Sequence, residues 1–401
     1  MSGGEILHAW FDLVRRRSLK IGGLALAVSL AGCAIGAFWL RAAPLLLGAY
    51  LIAYLFVLGA ALGSLGLLML GHLTGGAWAA AIRRALEAAT RTLPVVTALF
   101  LPILLGTGNL YHEWAHPAEH DHLIAEKRAY LNVPFFLVRA AVYFASWNGL
   151  AYLLNRWSLQ QEQDPSPRLA RRFRLMCGPG LVLYGLTMTF AAFDWGMSLT
   201  PHWFSTIYGV MLIVGQGLTA MAMAVGATLL LADRRARLTD VPAETRADLG
   251  SLLLTFVMLW AYMSLSQLLI IWSANLPEEI TWYMPRLRGG WGAIGVLLAV
   301  FHFIVPFFAL LHGGVKRDPR RLIQLCGLLL VMRVIDLLWV IGAGLHVSGA
   351  WALLLPPMVA IAAAGIGGVW LAAAVRQLRA RSLEPYPPVL EAAPAGPEAA
   401  S

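Results

Sequence analysis

Long apolar runs alternate with short polar segments along the whole chain. A helix needs about 20 apolar residues to cross the hydrocarbon of a bilayer. Ten runs reach about that length, and Gly, Pro and aromatic residues stand at their ends, as expected at membrane interfaces. They cover residues 21–40, 43–72, 92–110, 131–155, 174–193, 205–232, 249–273, 290–312, 322–345 and 350–375. The pattern predicts an all-α polytopic membrane protein with about ten transmembrane helices.

Two segments between or after these runs have a different character. Residues 75–91 place basic side chains among alanines and are predicted to form an amphipathic helix on the cytoplasmic face. Residues 383–401 are rich in Pro and Ala, which predicts a disordered tail after an integral membrane domain over 1–382. Leu30–Cys33 resembles a lipoprotein cleavage site, but the apolar run continues through Trp39 and favours an uncleaved first helix.

Composition and charge narrow the class. Of the 401 residues, 59% are hydrophobic and only 13% are charged, which excludes a soluble protein of this length. The net charge of +9 comes from short loops rather than from one basic face, which argues against nucleic-acid binding. On the predicted topology, 23 of the 30 Lys and Arg residues share the side of the N-terminus. This asymmetry predicts that both termini are cytoplasmic.

Few residues in the chain could hold a metal cofactor. The three cysteines lie in separate apolar runs, whereas an iron–sulfur cluster needs four ligands. His302 is the one histidine well inside a predicted helix, so facing pairs of haem ligands are missing. We therefore expect no haem, iron–sulfur cluster or metal to be bound by this chain, and His302 alone is more typical of a hydrogen-bonded core residue.

The loop at residues 112–122 contains His112, Glu113 and His116 in the His-Glu-x-x-His spacing of zinc proteases. Pro117 follows directly and no third ligand is evident, which disfavours that activity. A solvated loop against partner proteins and a proton-collecting surface remain as alternatives, because histidines and carboxylates exchange protons near neutral pH.

The turn after the fifth run carries Asp194 and His202, with Trp195 and Trp203 beside them. Quinol oxidation needs acceptors for two protons and an apolar slot for the ring, and this turn supplies both. Gln267 and Glu278 belong to a second polar and aromatic rim on the next hairpin. The alternative is an interfacial aromatic belt with helix caps.

Three charged residues fall inside predicted helices, where an ionisable group indicates a functional site. Arg139 needs a buried partner or a water-filled cavity, as a structural ion pair or as a ligand contact. Arg333 and Asp336 stand three residues apart, so they share a helix face and are expected to neutralise one another. A carboxylate in a helical bundle is also a candidate for proton relay.

Several longer motifs occur between about residues 70 and 345. They are Tyr130–Phe136 with Arg139, Trp157–Ser158 with Gln160–Gln161, Gly178–Leu181, Phe190–Ala191, Asp194–Trp203, Gly215–Gln216, Trp260–Tyr262, Ser266–Gln267 and Ile271–Glu279 with Trp282–Tyr283. Together they resemble the F subunit of bacterial Alternative Complex III, in the NrfD-like (polysulfide-reductase membrane subunit) group. The resemblance implies ten transmembrane helices with two four-helix bundles plus extra helices, in the bacterial inner membrane.

The resemblance also implies a place in a quinol:cytochrome c (or other acceptor) oxidoreductase. The expected partners are the bilayer, a paralogous NrfD-like C subunit, and multihaem cytochrome c and iron–sulfur subunits. The F subunit is described as a second quinone-binding subunit, with a proton-conducting or structural role. The resemblance assigns this role to four residues of this chain, Asp194, His202, Arg139 and Asp336. A scaffold for the redox subunits and a free-standing proton-coupled transporter are the alternatives.

Overall fold

The computed structural model describes residues 3–35, 43–117, 121–163, 166–234, 241–345 and 350–381, and it contains helices but no strands within them. The predicted disordered tail at 383–401 lies outside the described residues. The longer helices are α1 (Gly3–Ile35), α2 (Ala43–Thr74), α3 (Ala77–Thr90), α4 (Val133–Gln163), α5 (Pro167–Trp195), α6 (Tyr208–Arg234), α7 (Ala243–Ala274), α8 (Gly289–Leu298), α9 (Val305–Leu311), α10 (Pro319–Leu337) and α11 (Ala350–Arg379). This is an all-α polytopic membrane protein, as the sequence predicts.

Shorter helical pieces extend or connect these elements. They are Leu93–Ala98, Leu101–Leu105, Thr107–Leu110, His112–Ala115, His122–Lys127, Pro277–Ile280, Tyr283–Leu287 and Gly313–Arg317, 3-10 turns at Met197–Leu199 and Ala343–Leu345, and π-helical segments at Ala299–Ile304 and Leu338–Gly342. Within the described residues, nine helical stretches are long and apolar enough to cross a membrane. The π-helical segments fall inside two of those stretches, where α8 leads into α9 and where α10 ends.

Helix α4 is a tenth long helix, although no stretch of it is as apolar as the nine. Its 31 residues exceed the length needed to cross the hydrocarbon. The polar side chains that lower its hydropathy, such as Arg139, Asn155 and Ser158, are buried against neighbouring helices. Its outward face carries apolar residues such as Val138 and Val142. The sequence of α4 therefore reflects a membrane helix with a polar inner face.

The segment predicted as an amphipathic surface helix is helical over Ala77–Thr90, and it leads into the next crossing. Its first turns are largely exposed, but Ile82, Leu86 and Glu87 are buried, and Ala88–Thr90 are buried as well. Contacts with α2, α6 and α11 surround this half. Polar residues in the second half of α3 meet polar partners inside the bundle rather than water, as Glu87 does with Arg83 and Ser158.

Helix α2 is the centre of the fold, with 89% of its apolar stretch buried. Helices α2 to α5 pack together as one group of four, and α6, α7, α8–α9 and α10 form a second group. The α2–α6 contact joins the two groups. Helix α1 contacts mainly α11, where Gly22 and Gly368 bring the two backbones together: a Cβ on Gly22 would lie 2.7 Å from the Gly368 Cα. Small residues at such contacts are typical of helix packing in membranes.

The α2–α6 contact depends on Gly63. A Cβ at this position would lie 2.2 Å from the Gln216 carbonyl oxygen, which belongs to the backbone and cannot rotate away. We expect Gly63→Ala to cost about 1–3 kcal/mol, the usual range for overpacking. The control is Gly149→Ala, on the exposed face of α4, where a Cβ meets nothing within 4 Å. Thermal unfolding in detergent should show a lower Tm for Gly63→Ala only; equal Tm values for both variants would contradict this account of the contact.

Candidate functional site

Asp194 lies at the end of α5 and is almost completely buried. Its carboxylate accepts hydrogen bonds from Arg139 Nε at 2.8 Å, Arg139 Nη2 at 2.9 Å and the Tyr143 hydroxyl at 2.8 Å. Two parallel bonds between a guanidinium and a carboxylate are among the strongest hydrogen bonds in proteins. Both oxygens of Asp194 are therefore engaged by side chains of α4.

Arg139 is held on its other sides as well. Its Nη1 donates to the Tyr130 carbonyl oxygen at 2.9 Å, and its guanidinium carbon lies 3.9 Å from the centre of the Tyr130 ring and 4.3 Å from that of Phe135. Cation–π contacts of this kind add to the ion pair. Of the two interpretations that the sequence left open for Arg139, the geometry favours the structural ion pair with Asp194.

Trp195, a predicted quinone contact, is completely buried in an aromatic core. Its ring centre lies 4.5 Å from that of Phe100, 5.7 Å from that of Phe144 and 5.8 Å from that of Trp147. No face of this ring is open to a membrane-dissolved ligand. The sequence could not show this, because an interfacial tryptophan and a core tryptophan look alike at the end of an apolar run.

Asp194 and His202 do not form the shared site that the turn suggests. His202 is exposed, and its Nε2 lies 2.9 Å from Asp121 Oδ2. The Ile124 backbone N–H, 3.1 Å from Asp121 Oδ1, and the His202 ring lower the pKa of Asp121 below its ordinary value. His202 therefore connects the turn to the part of loop 112–122 that begins the helix His122–Lys127, whereas Asp194 faces the interior.

The second predicted rim meets around Trp282. Trp203 is buried and stacks on Trp282 with ring centres 4.8 Å apart. Gln267 is also buried, and its Oε1 accepts a hydrogen bond from the Ser205 hydroxyl at 2.6 Å. Glu278 is exposed at the surface. The rim is therefore a packed aromatic contact between two connecting segments, with Glu278 outside it.

A second buried carboxylate lies deeper in the bundle. Asp336 on α10 forms an ion pair with Arg333 one turn earlier, as the spacing predicts, and this pairing is confirmed. The Trp260 side chain of α7 also hydrogen-bonds to Asp336. Arg333 packs against α6, where a Cβ on Gly215 would lie 2.1 Å from its Nη2. A side chain at position 215 would displace the guanidinium from this position.

His302 lies next to this pair and is fully buried. Its ring centre is 4.3 Å from that of Trp260, and neither ring nitrogen has a hydrogen-bond partner in the described structure. The expectation of a hydrogen-bonded core histidine is therefore wrong for this structure. We call Arg333, Asp336, Trp260 and His302 the Asp336 cluster.

Two π-helical segments border the Asp336 cluster. His302 lies in the first, at Ala299–Ile304, and the second, at Leu338–Gly342, begins two residues after Asp336. Pro306 has no N–H, so the usual helical hydrogen bond to the His302 carbonyl cannot form, which accounts for the first segment. Single π-helical turns inside α-helices often occur at functional sites.

Polar side chains extend from the cluster into the contact between the two four-helix groups. Arg333 Nε lies 3.4 Å from Thr219 Oγ1, and the Tyr184 hydroxyl donates to Gln216 Oε1 at 2.9 Å. A small internal cavity of about 10 Å³ touches Arg333, Thr219 and Gln216. This volume is about the minimum for one water molecule, and it is far below the roughly 300 Å³ of a small-ligand pocket.

The third buried carboxylate, Glu87 on α3, was missed as a candidate by the sequence. It accepts hydrogen bonds from Arg83 Nε at 2.9 Å and from the Ser158 hydroxyl at 2.6 Å, and Arg381 Nη1 lies 3.3 Å from it. The Arg83–Glu87 spacing of four residues was the available signal. Such pairs are common on exposed helix faces, so the spacing alone does not indicate burial.

Arg286 was also missed, because it counted as one of the basic residues of an outer loop. It is only 2% exposed. Its Nη1 donates to the Trp282 carbonyl oxygen at 2.5 Å and its Nη2 to the Val340 carbonyl oxygen, and its guanidinium carbon lies 3.6 Å from the Trp282 ring centre. Burial lowers the pKa of Arg286 to about 9, so the side chain stays protonated at neutral pH.

Two comparisons of the chain with known proteins identified no relative. No family model matches the chain, and a search of curated proteins found no match either. Among the described residues, no group of three or more His, Cys, Asp or Glu side chains is placed to hold a metal ion.

Removing either partner of the Asp194–Arg139 pair alone should destabilise the protein. Arg139→Met leaves a buried carboxylate without its cation, which we expect to cost about 3–5 kcal/mol. The double variant Arg139→Met/Asp194→Leu removes both charges and should recover most of that loss. Arg321→Met, which removes an exposed ion pair with Asp318, is the control and should change stability by less than about 1 kcal/mol. Unfolding in detergent measures all three; a single Arg139 variant as stable as wild type would refute the structural role.

Proposed function

We propose that this chain is the proton-handling membrane subunit of a quinol:electron acceptor oxidoreductase of the Alternative Complex III type. The motifs between about residues 70 and 345 support the complex, and the Asp336 cluster supports the role. The bacterial inner membrane, cytoplasmic termini, and a C subunit with cytochrome and iron–sulfur subunits as partners belong to the same proposal.

The proton-handling role is supported mainly by the position of His302. A fully buried imidazole with two unused ring nitrogens lies in the same cluster as a buried carboxylate, and two π-helical segments border them. Burying a polar group without a hydrogen bond costs free energy, which points to a role for this histidine. Imidazole is the side chain that ordinarily exchanges protons near neutral pH, and Asp or His chains in membrane helices are typical of proton relays.

Within this proposal, Asp336 and His302 carry the proton and Arg333 holds the carboxylate in place. Thr219, Gln216 and Tyr184 continue the polar path, with a cavity of water size between Gln216 and Arg333. Hydrogen-bonding groups and water in such a sequence pass a proton without large movements of the protein.

A quinone does not fit the residues first expected to bind it. Both oxygens of Asp194 already accept hydrogen bonds, Trp195 is enclosed by aromatic rings, and His202 lies at the surface. We therefore assign quinol chemistry to a partner subunit and derive no redox step on this chain. Asp194 and Arg139 serve the fold.

The proposal predicts that Asp336→Asn lowers the number of protons moved per electron in the complex reconstituted into liposomes, while quinol oxidation continues. His302→Phe should have the same effect, and it leaves the Arg333–Asp336 pair intact. Asp318→Asn is the control, because Asp318 caps the same helix α10 from the exposed side and Asn caps equally well.

Wild-type proton-to-electron ratios in both Asp336→Asn and His302→Phe would overturn the proton-handling role. Correct assembly with unchanged coupling would then favour the scaffold. Proton movement by the chain reconstituted without the other subunits would favour the transporter.

A further inference from the structure

Arg286 is a buried cation without a counter-charge. It forms no ion pair with any acidic residue in the part of the chain that the structure describes. Its two hydrogen bonds go to neutral backbone carbonyls, and its Nε is buried with no acceptor. Glu87, Asp194 and Asp336 are each paired with an arginine, so this side chain differs from the other buried arginines Arg83, Arg139 and Arg333.

The position of Arg286 relative to Asp336 follows from α10. Arg333, Asp336 and Val340 succeed one another along the helix and its π-helical continuation, and Arg286 binds the Val340 carbonyl. Four residues correspond to about 6 Å along a helix. Arg286 thus lies about one turn beyond Asp336. Tyr208 lies close enough to both for an electrostatic interaction with each.

The same side of the bundle carries Asp194. Arg286 and Thr200 both lie beside Gly344, where a Cβ would be 3.6 Å from Arg286 Nη2 and 3.3 Å from Thr200 Cγ2. Thr200 follows the 3-10 turn Met197–Leu199 that extends α5. We call this side the Asp194 end. A proton moving between it and Asp336 past Tyr208 comes close to Arg286.

We propose that Arg286 is an electrostatic barrier that keeps cations, including protons, from reaching Asp336 from the Asp194 end. The proposal rests on the proton-handling function proposed above. A fixed positive charge in the low-dielectric interior of a protein repels a hydrated proton, and an arginine can exclude protons from a membrane pore in this way. Because no carboxylate among the described residues forms an ion pair with Arg286, its charge acts on any proton that approaches Asp336 from the Asp194 end. Exchange of protons with Asp336 is then confined to the other side of the bundle.

A structural role for Arg286 is the competing explanation, since it joins the segment Tyr283–Leu287 to the second π-helical segment. Charge and structure are separable by substitution. Arg286→Lys keeps the charge but loses the two-pronged contact with two carbonyls. Arg286→Gln removes the charge but retains an amide that can donate to one of them. An electrostatic barrier depends on the positive charge of Arg286, whereas a structural role depends on its hydrogen bonds to the two carbonyl oxygens.

The test is passive proton entry into liposomes that contain the assembled complex and an internal pH-sensitive dye, with a potassium diffusion potential and no turnover. We expect Arg286→Gln to raise the rate of proton entry roughly tenfold, the change that follows from a barrier lower by about 1.4 kcal/mol. Arg286→Lys and the exposed control Arg288→Gln should match wild type. Adding Asp336→Asn to Arg286→Gln should abolish the increase.

A second variant tests the barrier if the complex that contains Arg286→Gln does not assemble. Thr200→Glu places a carboxylate beside Arg286 without removing any contact of the guanidinium, and it should also raise proton entry. Three results would each overturn the barrier. The first is a wild-type rate of proton entry in an assembled Arg286→Gln complex, and the second is an equally raised rate in Arg286→Gln and Arg286→Lys. The third is a raised rate that persists when Asp336→Asn is added. Passive proton entry is measured without turnover. The barrier can therefore be refuted separately from the proton-handling function, which is tested by the proton-to-electron ratio.

Discussion

The structure depends on one constraint: a charge that leaves water for the interior of a membrane protein must find its partner within the protein. Each of the three buried carboxylates in the described residues pairs with at least one arginine from a neighbouring turn or helix. Removing one partner of such a pair costs several kcal/mol, while a hydrophobic replacement of both is often harmless. The ion pairs are therefore better understood as fixing which helices meet than as a source of net stability.

Helix α4 shows how this constraint organises the first group of four helices. Its first turns provide Arg139 and Tyr143 to Asp194 on α5, and its last turns provide Ser158 to Glu87 on α3. Residues 139 and 158 are about 29 Å apart along a helix, which is close to the thickness of the hydrocarbon. One helix thus fixes α5 near one membrane interface and α3 near the other. The polar residues that this requires explain why no stretch of α4 is as apolar as the nine other membrane-spanning stretches.

The sequence predicts the helices well, because a run of about 20 apolar residues has few alternatives in a membrane protein. It also predicts the Arg333–Asp336 pair, since a spacing of three residues on one helix determines that the side chains share a face. It fails where partners come from different helices. Nothing in the chain indicates that Asp194 meets Arg139, 55 residues earlier, rather than His202. For the same reason Glu87 and Arg286 looked like surface charges, although tertiary contacts bury both.

Asp194 and Asp336 show why a buried charge is not sufficient evidence for chemistry. Asp194 has three donors from two side chains, and its arginine is further enclosed by Tyr130 and Phe135. These donors occupy three of the roughly four lone-pair positions of the carboxylate, which leaves little room for a transferred proton. Asp336 also has an arginine, but its surroundings include an imidazole without hydrogen bonds, a cavity of water size beside Arg333 and two interrupted helices. The difference between a structural and a reactive carboxylate therefore lies in what remains unsatisfied around it.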